Sequence, residues 1–224
     1  FQGLPLGWRA DFANPDIRSA YKNFTLRVLR EFNPRYLGLA SEINTYADAY
    51  PEDLPNFLSL YNEVYDAVKA ESPDTQVFVT FQWEDLNNLW PQPFEPDYQE
   101  GEIKWHLIEL FEPKLDLWVI STYPYIVFEN AAEVPEDFYL PLTERTDKKL
   151  AVAEGGWISK DHEHLKASET DQEEYLRTID AQLGDRMVFW IYLLVQDIQI
   201  ESYRKYTRGD DLSTLGFFTS VGLI

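Results

Sequence analysis

Apolar residues recur along this chain at helical and at strand spacing in alternation. After Asn14-Pro15, Ile17, Ala20, Tyr21, Phe24 and Val28 fall three or four apart, which predicts a helix that Asn33-Pro34 ends. A short strand, Tyr36 to Ala40, follows. Leu54, Phe57, Leu58, Tyr61, Val64, Tyr65 and Val68 predict a second helix, with Pro55 in its first turn and a stop near Ser72-Pro73. Gln76 to Gln82 reads as the next strand. The cycle continues with a helix over Lys104 to Phe111, a strand over Leu115 to Thr122 and a Pro-containing helix over Pro135 to Thr143. Strand Leu150 to Ala153, helix Asp171 to Leu183 and strand Met187 to Val195 complete it.

Five strands with helices between them imply right-handed parallel crossovers, hence an α/β barrel or a doubly wound sheet. No Gly-rich phosphate loop follows any strand, which favours the (β/α)8 TIM barrel over the dinucleotide-binding sheet. A complete barrel needs eight strand-helix units, so the expectation is one partial barrel domain over residues 1–224, with strands 4 to 8 present and strands 1 to 3 missing.

Two strand-like segments each run apolar residues into one glutamate. In Tyr36-Leu-Gly-Leu-Ala-Ser-Glu-Ile-Asn44 alternation puts Gly38, Ala40 and Glu42 on one face, and in Lys149-Leu-Ala-Val-Ala-Glu-Gly-Gly-Trp157 it puts Leu150, Val152 and Glu154 on one face. Both glutamates would point into the barrel mouth, where such folds assemble chemistry. A lone glutamate there is as well explained as a polar residue where a strand meets solvent. Two on facing strands suit the acid and nucleophile of a retaining glycosidase, whose carboxyls sit about 5 to 5.5 Å apart.

Charge narrows the partners. The chain has 19 Lys and Arg against 39 Asp and Glu, a formal charge of −20 that repels phosphate backbones and anionic lipid surfaces. Nucleic acid and membrane partners are not expected, and a neutral carbohydrate is. The 16% aromatic content suits sugar faces, although it is equally good core material. There is no cysteine, so no disulfide or thiolate site is available. His162 and His164 in Asp161-His-Glu-His lie in a charged, loop-like stretch, and the acidic run Tyr50-Pro-Glu-Asp-Leu-Pro reads as a helix start. No metal or other cofactor is required by this chemistry.

The segments Gly-Leu-Ala-Ser-Glu42-Ile-Asn, Ser121-Thr-Tyr-Pro-Tyr125 and Ala-Val-Ala-Glu154-Gly-Gly-Trp, in this order and spacing, resemble glycoside hydrolase clan A. That clan comprises retaining (β/α)8 glycosidases, and within it the chain is most similar to endo-β-1,4-galactanase-like barrels and unclassified relatives. The resemblance implies that Glu42 is the acid/base, Glu154 the nucleophile and Tyr123 a hydrogen-bond donor to it, and it suggests a location outside the cytoplasm. The clan places asparagine before the acid/base; this chain has Ser41, which reaches less far. Ser41 and Asn44 are candidate sugar contacts beside Glu42. Trp83 with Glu84 after the second strand, Trp157 after Glu154, and Trp190, Tyr192 and Gln196 along the last strand are candidates for flanking subsites and a sugar platform. Core packing is the competing role for each aromatic residue, and a catalytically impaired carbohydrate-binding barrel is the competing function.

Overall fold

A computed structural model describes residues 4–89, 102–162, 165–204, 216 and 218–223 of the chain. The strands are β1 (Tyr36–Gly38), β2 (Gln76–Phe78), β3 (Thr80–Gln82), β4 (Trp118–Thr122), β5 (Leu150–Gly155) and β6 (Met187–Trp190). Among the described residues every strand pairing is parallel, in the order β1-β2 and β3-β4-β5-β6. β2 and β3 are one strand broken at Val79. The ladder runs across the break, since Leu39 N–H donates to the Phe78 carbonyl at 2.8 Å and Thr80 N–H to the Ala40 carbonyl at 3.0 Å.

This is the expected α/β architecture of five parallel strand positions. The principal helices are α1 (Pro15–Phe32), α2 (Ile43–Ala49), α3 (Leu54–Glu71), α4 (Trp83–Leu86), α5 (Trp105–Glu109), α6 (Leu140–Arg145), α7 (Glu169–Leu183) and α8 (Ile200–Arg204). Asn14 caps α1 through its side chain, and Asn33 closes it in the left-handed conformation. α3 begins at Leu54 with Pro55 in its first turn, as the sequence predicts. None of the described helices is long and apolar enough to cross a membrane.

The main core lies between the sheet and this helical layer. Phe57, Leu60, Tyr61, Val64 and Val68 of α3 and Tyr175, Ile179 and Leu183 of α7 are buried against it. The other face is concave. β1 and β6 lie at opposite ends of the strand order, about 19 Å apart in a flat sheet, yet the rings of Tyr36 and Phe189 are 4.9 Å apart and those of Phe78 and Phe189 5.9 Å. The sheet therefore curls into a trough with these three rings across it.

Several elements are shorter than their sequence patterns suggest, among them β1, which ends at Gly38, and β4, which begins at Trp118. α5 covers Trp105–Glu109 and α6 Leu140–Arg145, each about one and a half turns, where few backbone bonds hold the helix. The last strand is regular as far as Trp190. Beyond it the chain keeps irregular bonds to β5, from Ile191 N–H to the Val152 carbonyl at 2.9 Å and from Leu193 N–H to the Gly155 carbonyl at 2.8 Å.

Candidate active site

The faces of β4 organise the site. Trp118 packs on Trp105 of α5, with ring centroids 5.9 Å apart, so Trp118, Ile120 and Thr122 face the helices while Val119 and Ser121 face the trough. Just past the strand end, Tyr123 returns to the trough side.

β5 pairs with β4 as Trp118 with Leu150, Val119 with Ala151 and Ile120 with Val152; the register then shifts, and Ser121 pairs with Glu154 and Thr122 with Gly155. Ala153 is thus an extra residue, a bulge. Leu150 and Val152 face the helices, and uninterrupted alternation would send Glu154 to the same side. The bulge inverts the parity and turns Glu154 into the trough. This corrects the expected face set of Leu150, Val152 and Glu154: Ala151 and Glu154 share the concave side. Gly155 then faces α7, where a Cβ would lie 2.8 Å from the Thr122 carbonyl oxygen, so glycine permits the close approach.

Glu42 reaches the trough by a different distortion. The chain leaves β1 and adopts φ 50°, ψ 49° at Glu42, the left-handed region that non-glycine residues seldom occupy, immediately before α2. Neighbours hold it there: Glu42 N–H donates to Thr80 Oγ1 at 2.8 Å, and Thr45 N–H and Oγ1 donate to the Glu42 carbonyl at 3.0 and 2.7 Å.

Each carboxyl is held by a hydroxyl from β4 or the residue just past it. Ser121 Oγ donates to Glu42 Oε1 at 2.6 Å, and Tyr123 Oη donates to Glu154 Oε1 at 2.6 Å. Ser121 is also the register partner of Glu154 on the adjacent strand. Both glutamates are part-exposed.

Burial pushes the Glu42 carboxyl above its ordinary value; the Ser121 hydroxyl pulls it partly back, and the negative charges of Glu154 and Asp85 push it up again. Burial, then the bond to Glu154, raises Tyr123 well above the usual phenol value, so its O–H remains a donor at neutral pH.

The remaining candidates separate into reachable and enclosed residues. Ser41 and Gln196 are exposed. Asn44 is fully buried: its Nδ2 donates to the Gln82 carbonyl at 3.0 Å and to Asp85, and its Oδ1 accepts from Gln82 N–H at 2.8 Å. Its amide ties α2 to the end of β3 in place of facing a sugar. Trp83 is also fully buried, stacked on Tyr139 with centroids 6.4 Å apart, and its indole N–H donates to the Phe138 carbonyl at 3.2 Å. Trp157 is fully buried between Tyr125 and Tyr175.

Trp190 and Tyr192 face α7 as well. Their rings lie 6.4 and 6.3 Å from that of Tyr175, and the Tyr192 hydroxyl accepts from Gln172 Nε2 at 2.8 Å. A register shift in β6, where Met187 pairs with Leu150 but Trp190 with Val152, sends Phe189 to the trough in their stead. His162 makes a two-way backbone bridge with Leu165, at 3.1 and 2.9 Å, while His164 lies outside the described residues. Among the described residues no group of three or more acidic or histidine side chains is placed to hold a metal.

Sequence reasoning passed over three contributors. Ser121 was visible as the residue two before Tyr123, on the same strand face. Thr80 and Asp85 carried no such signal, because their roles arise where β3 and α2 meet. Glu84, noted beside Trp83, lies entirely inside the protein: it accepts from Gln82 Nε2 at 2.5 Å, Thr122 Oγ1 at 2.6 Å and Tyr123 N–H at 3.2 Å. Burial raises its carboxyl to about 7 despite these bonds.

Neither a protein-family model nor a curated protein matches the sequence. Solved structures do match its fold. The chain is similar to the Ignisphaera aggregans GH53 catalytic domain, at 17% identity and TM-score 0.58 over 96% of this chain and 71% of that one. It is similar to a Rhizomucor miehei β-1,3-glucanosyltransferase active-site mutant in complex with laminaritriose, at 17% identity and TM-score 0.59 over 97% and 69%. Two fungal β-1,4-galactanases are represented by a match at 15% identity and TM-score 0.56 over 96% and 71%. At these identities the likeness speaks for architecture. The parallel trough, its helical layer and these matches give the chain an α/β-barrel fold shared with those solved structures.

Proposed function

We propose that the protein is a retaining glycoside hydrolase that cleaves a β-linked polysaccharide or oligosaccharide. One observation carries the reading: Ser121 on β4 and Tyr123 just past its end, two residues apart, donate to two carboxyls, one from the turn after β1 and one from β5. Glycosidic bond cleavage with retention needs such a pair, one protonated and one poised to attack.

Glu42, raised by burial, is the acid. Its proton passes to the glycosidic oxygen as the bond to the anomeric carbon breaks, while a Glu154 oxygen forms an ester with that carbon. The Glu42 carboxylate then takes a proton from water, whose oxygen displaces Glu154 and restores both groups. Tyr123 holds Oε1 of Glu154, so the other oxygen is the attacking atom. Exposed Ser41, adjacent to Glu42, and Gln196 are the proposed sugar contacts.

Activated 2-deoxy-2-fluoro β-glycosides of several sugars provide the test. Protein mass should rise by one fluoroglycosyl unit, with peptide mapping to Glu154, and Glu42→Ala should regain activity with azide on substrates with good leaving groups. A wild-type protein that neither hydrolyses aryl glycosides nor acquires the adduct is a carbohydrate-binding barrel or something further removed.

A further inference from the structure

Glu84 takes no part in the chemistry just described, yet its carboxyl is fully enclosed. Enclosing a carboxyl is costly, and a methionine would fill similar space without that cost. Three donors offset it, and they come from the ends of two adjacent strands: Gln82 Nε2, Thr122 Oγ1 and Tyr123 N–H. The Thr122 hydroxyl continues to Tyr139 Oη at 2.8 Å, and Tyr139 N–H donates to Gln182 Oε1 on α7 at 2.7 Å. Residues 122 and 123 are thereby anchored to the helical layer from behind.

We propose, on the glycosidase reading above, that Glu84 is a positioning residue for the nucleophile, acting through the backbone and ring of Tyr123. At Tyr123 the chain turns out of β4 into a short 3-10 turn, with φ −136° and ψ 71°. Its N–H takes the Glu84 carboxyl as acceptor where a strand would offer a carbonyl. Fixing that N–H together with the Thr122 side chain fixes the direction in which the Tyr123 ring leaves the backbone. The ring is a lever. A rotation of about 10° at its root sweeps the hydroxyl by about 1 Å, a misplacement that can cost on the order of 10²-fold in rate. That hydroxyl is the donor 2.6 Å from Glu154 Oε1. The alternation of β4, carried one residue past its end, thus assigns Ser121 and Tyr123 to the two site carboxyls and Thr122 to Glu84, which holds the strand end still.

A double-mutant cycle measured per active site tests this, with active sites counted by the burst from a fluoroglycoside. Glu84→Met should lower kcat per titrated site about tenfold and leave KM within about twofold; in a Tyr123→Phe background the same change should cost less than about threefold, because the lever is already gone. Glu84→Gln, which keeps an acceptor for Tyr123 N–H, should recover most of the loss. Should Glu84→Met fail to fold, Glu84→Asp withdraws the carboxyl by one methylene and carries the same comparison. Equal factors in both backgrounds, or fewer titratable sites with unchanged kcat per site, would mean that Glu84 supports the fold and nothing more. A wild-type protein without hydrolysis would overturn the glycosidase reading, and this proposal with it. Hydrolysis with an additive cycle would overturn the proposal alone.

Discussion

Glu84 also makes a prediction about stability that is independent of substrate. Its carboxyl has an ordinary value of 4.5 and is raised by burial to about 7 in the folded protein. Between these values the folded state keeps a proton that the unfolded chain has released, so stability falls as pH rises through the window. Each pH unit is worth about 1.4 kcal/mol, and the whole window about 3 kcal/mol. Below 4.5 both states are protonated and the loss vanishes; above about 7 both are ionised and it levels off. The network accommodates the proton, because either oxygen of the Thr122 and Tyr139 pair can be the donor. A protonated Glu84 donates to Thr122, which then donates to Tyr139.

Glu84→Gln copies that neutral state, its amide nitrogen donating to Thr122 and its oxygen accepting from Tyr123 N–H. Urea unfolding of both proteins across the pH range isolates the effect, since the other carboxylates of this strongly acidic chain cancel in the difference. The variant should match the wild type in acid and exceed it by about 3 kcal/mol above neutrality, with the rise confined to the window. A difference that stays flat across the window would refute the reasoning, since it would mean that the buried carboxyl is already ionised at low pH.

Other perturbations address the site and its scaffold. Ser121→Ala removes the hydrogen bond that lowers Glu42, so Glu42 should rise further and, on the glycosidase proposal, the alkaline limb of kcat/KM should move to higher pH; a limb that moves down would refute the pairing of Ser121 with a Glu42 acid. Asn44→Ala strips partners from the backbone of Gln82 and from Asp85, and should cost about 2 to 4 kcal/mol in urea unfolding. Trp83→Ala should cost about 3 to 5 kcal/mol by the same assay, and a raised KM at unchanged stability would put that ring in the cleft after all.

Much of the scaffold was legible because parallel strands buried between layers leave strong apolar runs, and because Asn33, Pro55 and Pro73 punctuate the helices in the ordinary way. Glu42 and Glu154 stood out for the same reason, a polar group ending an apolar run being conspicuous, whereas Tyr123 is singled out only by the family resemblance. The aromatic candidates were not separable by type. Trp83 and Trp157 follow strands just as platform residues would, but whether a ring turns to the trough or to the helices depends on backbone conformation past the strand end. Asn44 looked like a sugar contact because it sits two residues from Glu42. The first turn of α2 turns its amide onto β3 instead, where broken strand pairing offers backbone groups to satisfy.

The deeper obstacle is that the two carboxyls arrive by irregularities that alternation cannot encode. Glu42 depends on a left-handed residue after β1, and Glu154 on one extra residue in β5. Counting by twos from Leu150 and Val152 leads to the right expectation for Glu154 on a wrong premise, since those residues face the helices and the bulge at Ala153 inverts the count. β4, between them in the strand order, is regular, and the count holds along it and one residue beyond: Ser121 toward one carboxyl, Thr122 toward Glu84, Tyr123 toward the other. Such a division of labour has a physical logic. A regular strand is a stiff ruler, with residues two apart spaced by about 6.6 Å along one face, and distortions after β1 and within β5 bring the two carboxyls to its end. Pattern reading is therefore strongest for the element that holds the two carboxyls and weakest for the elements that deliver them.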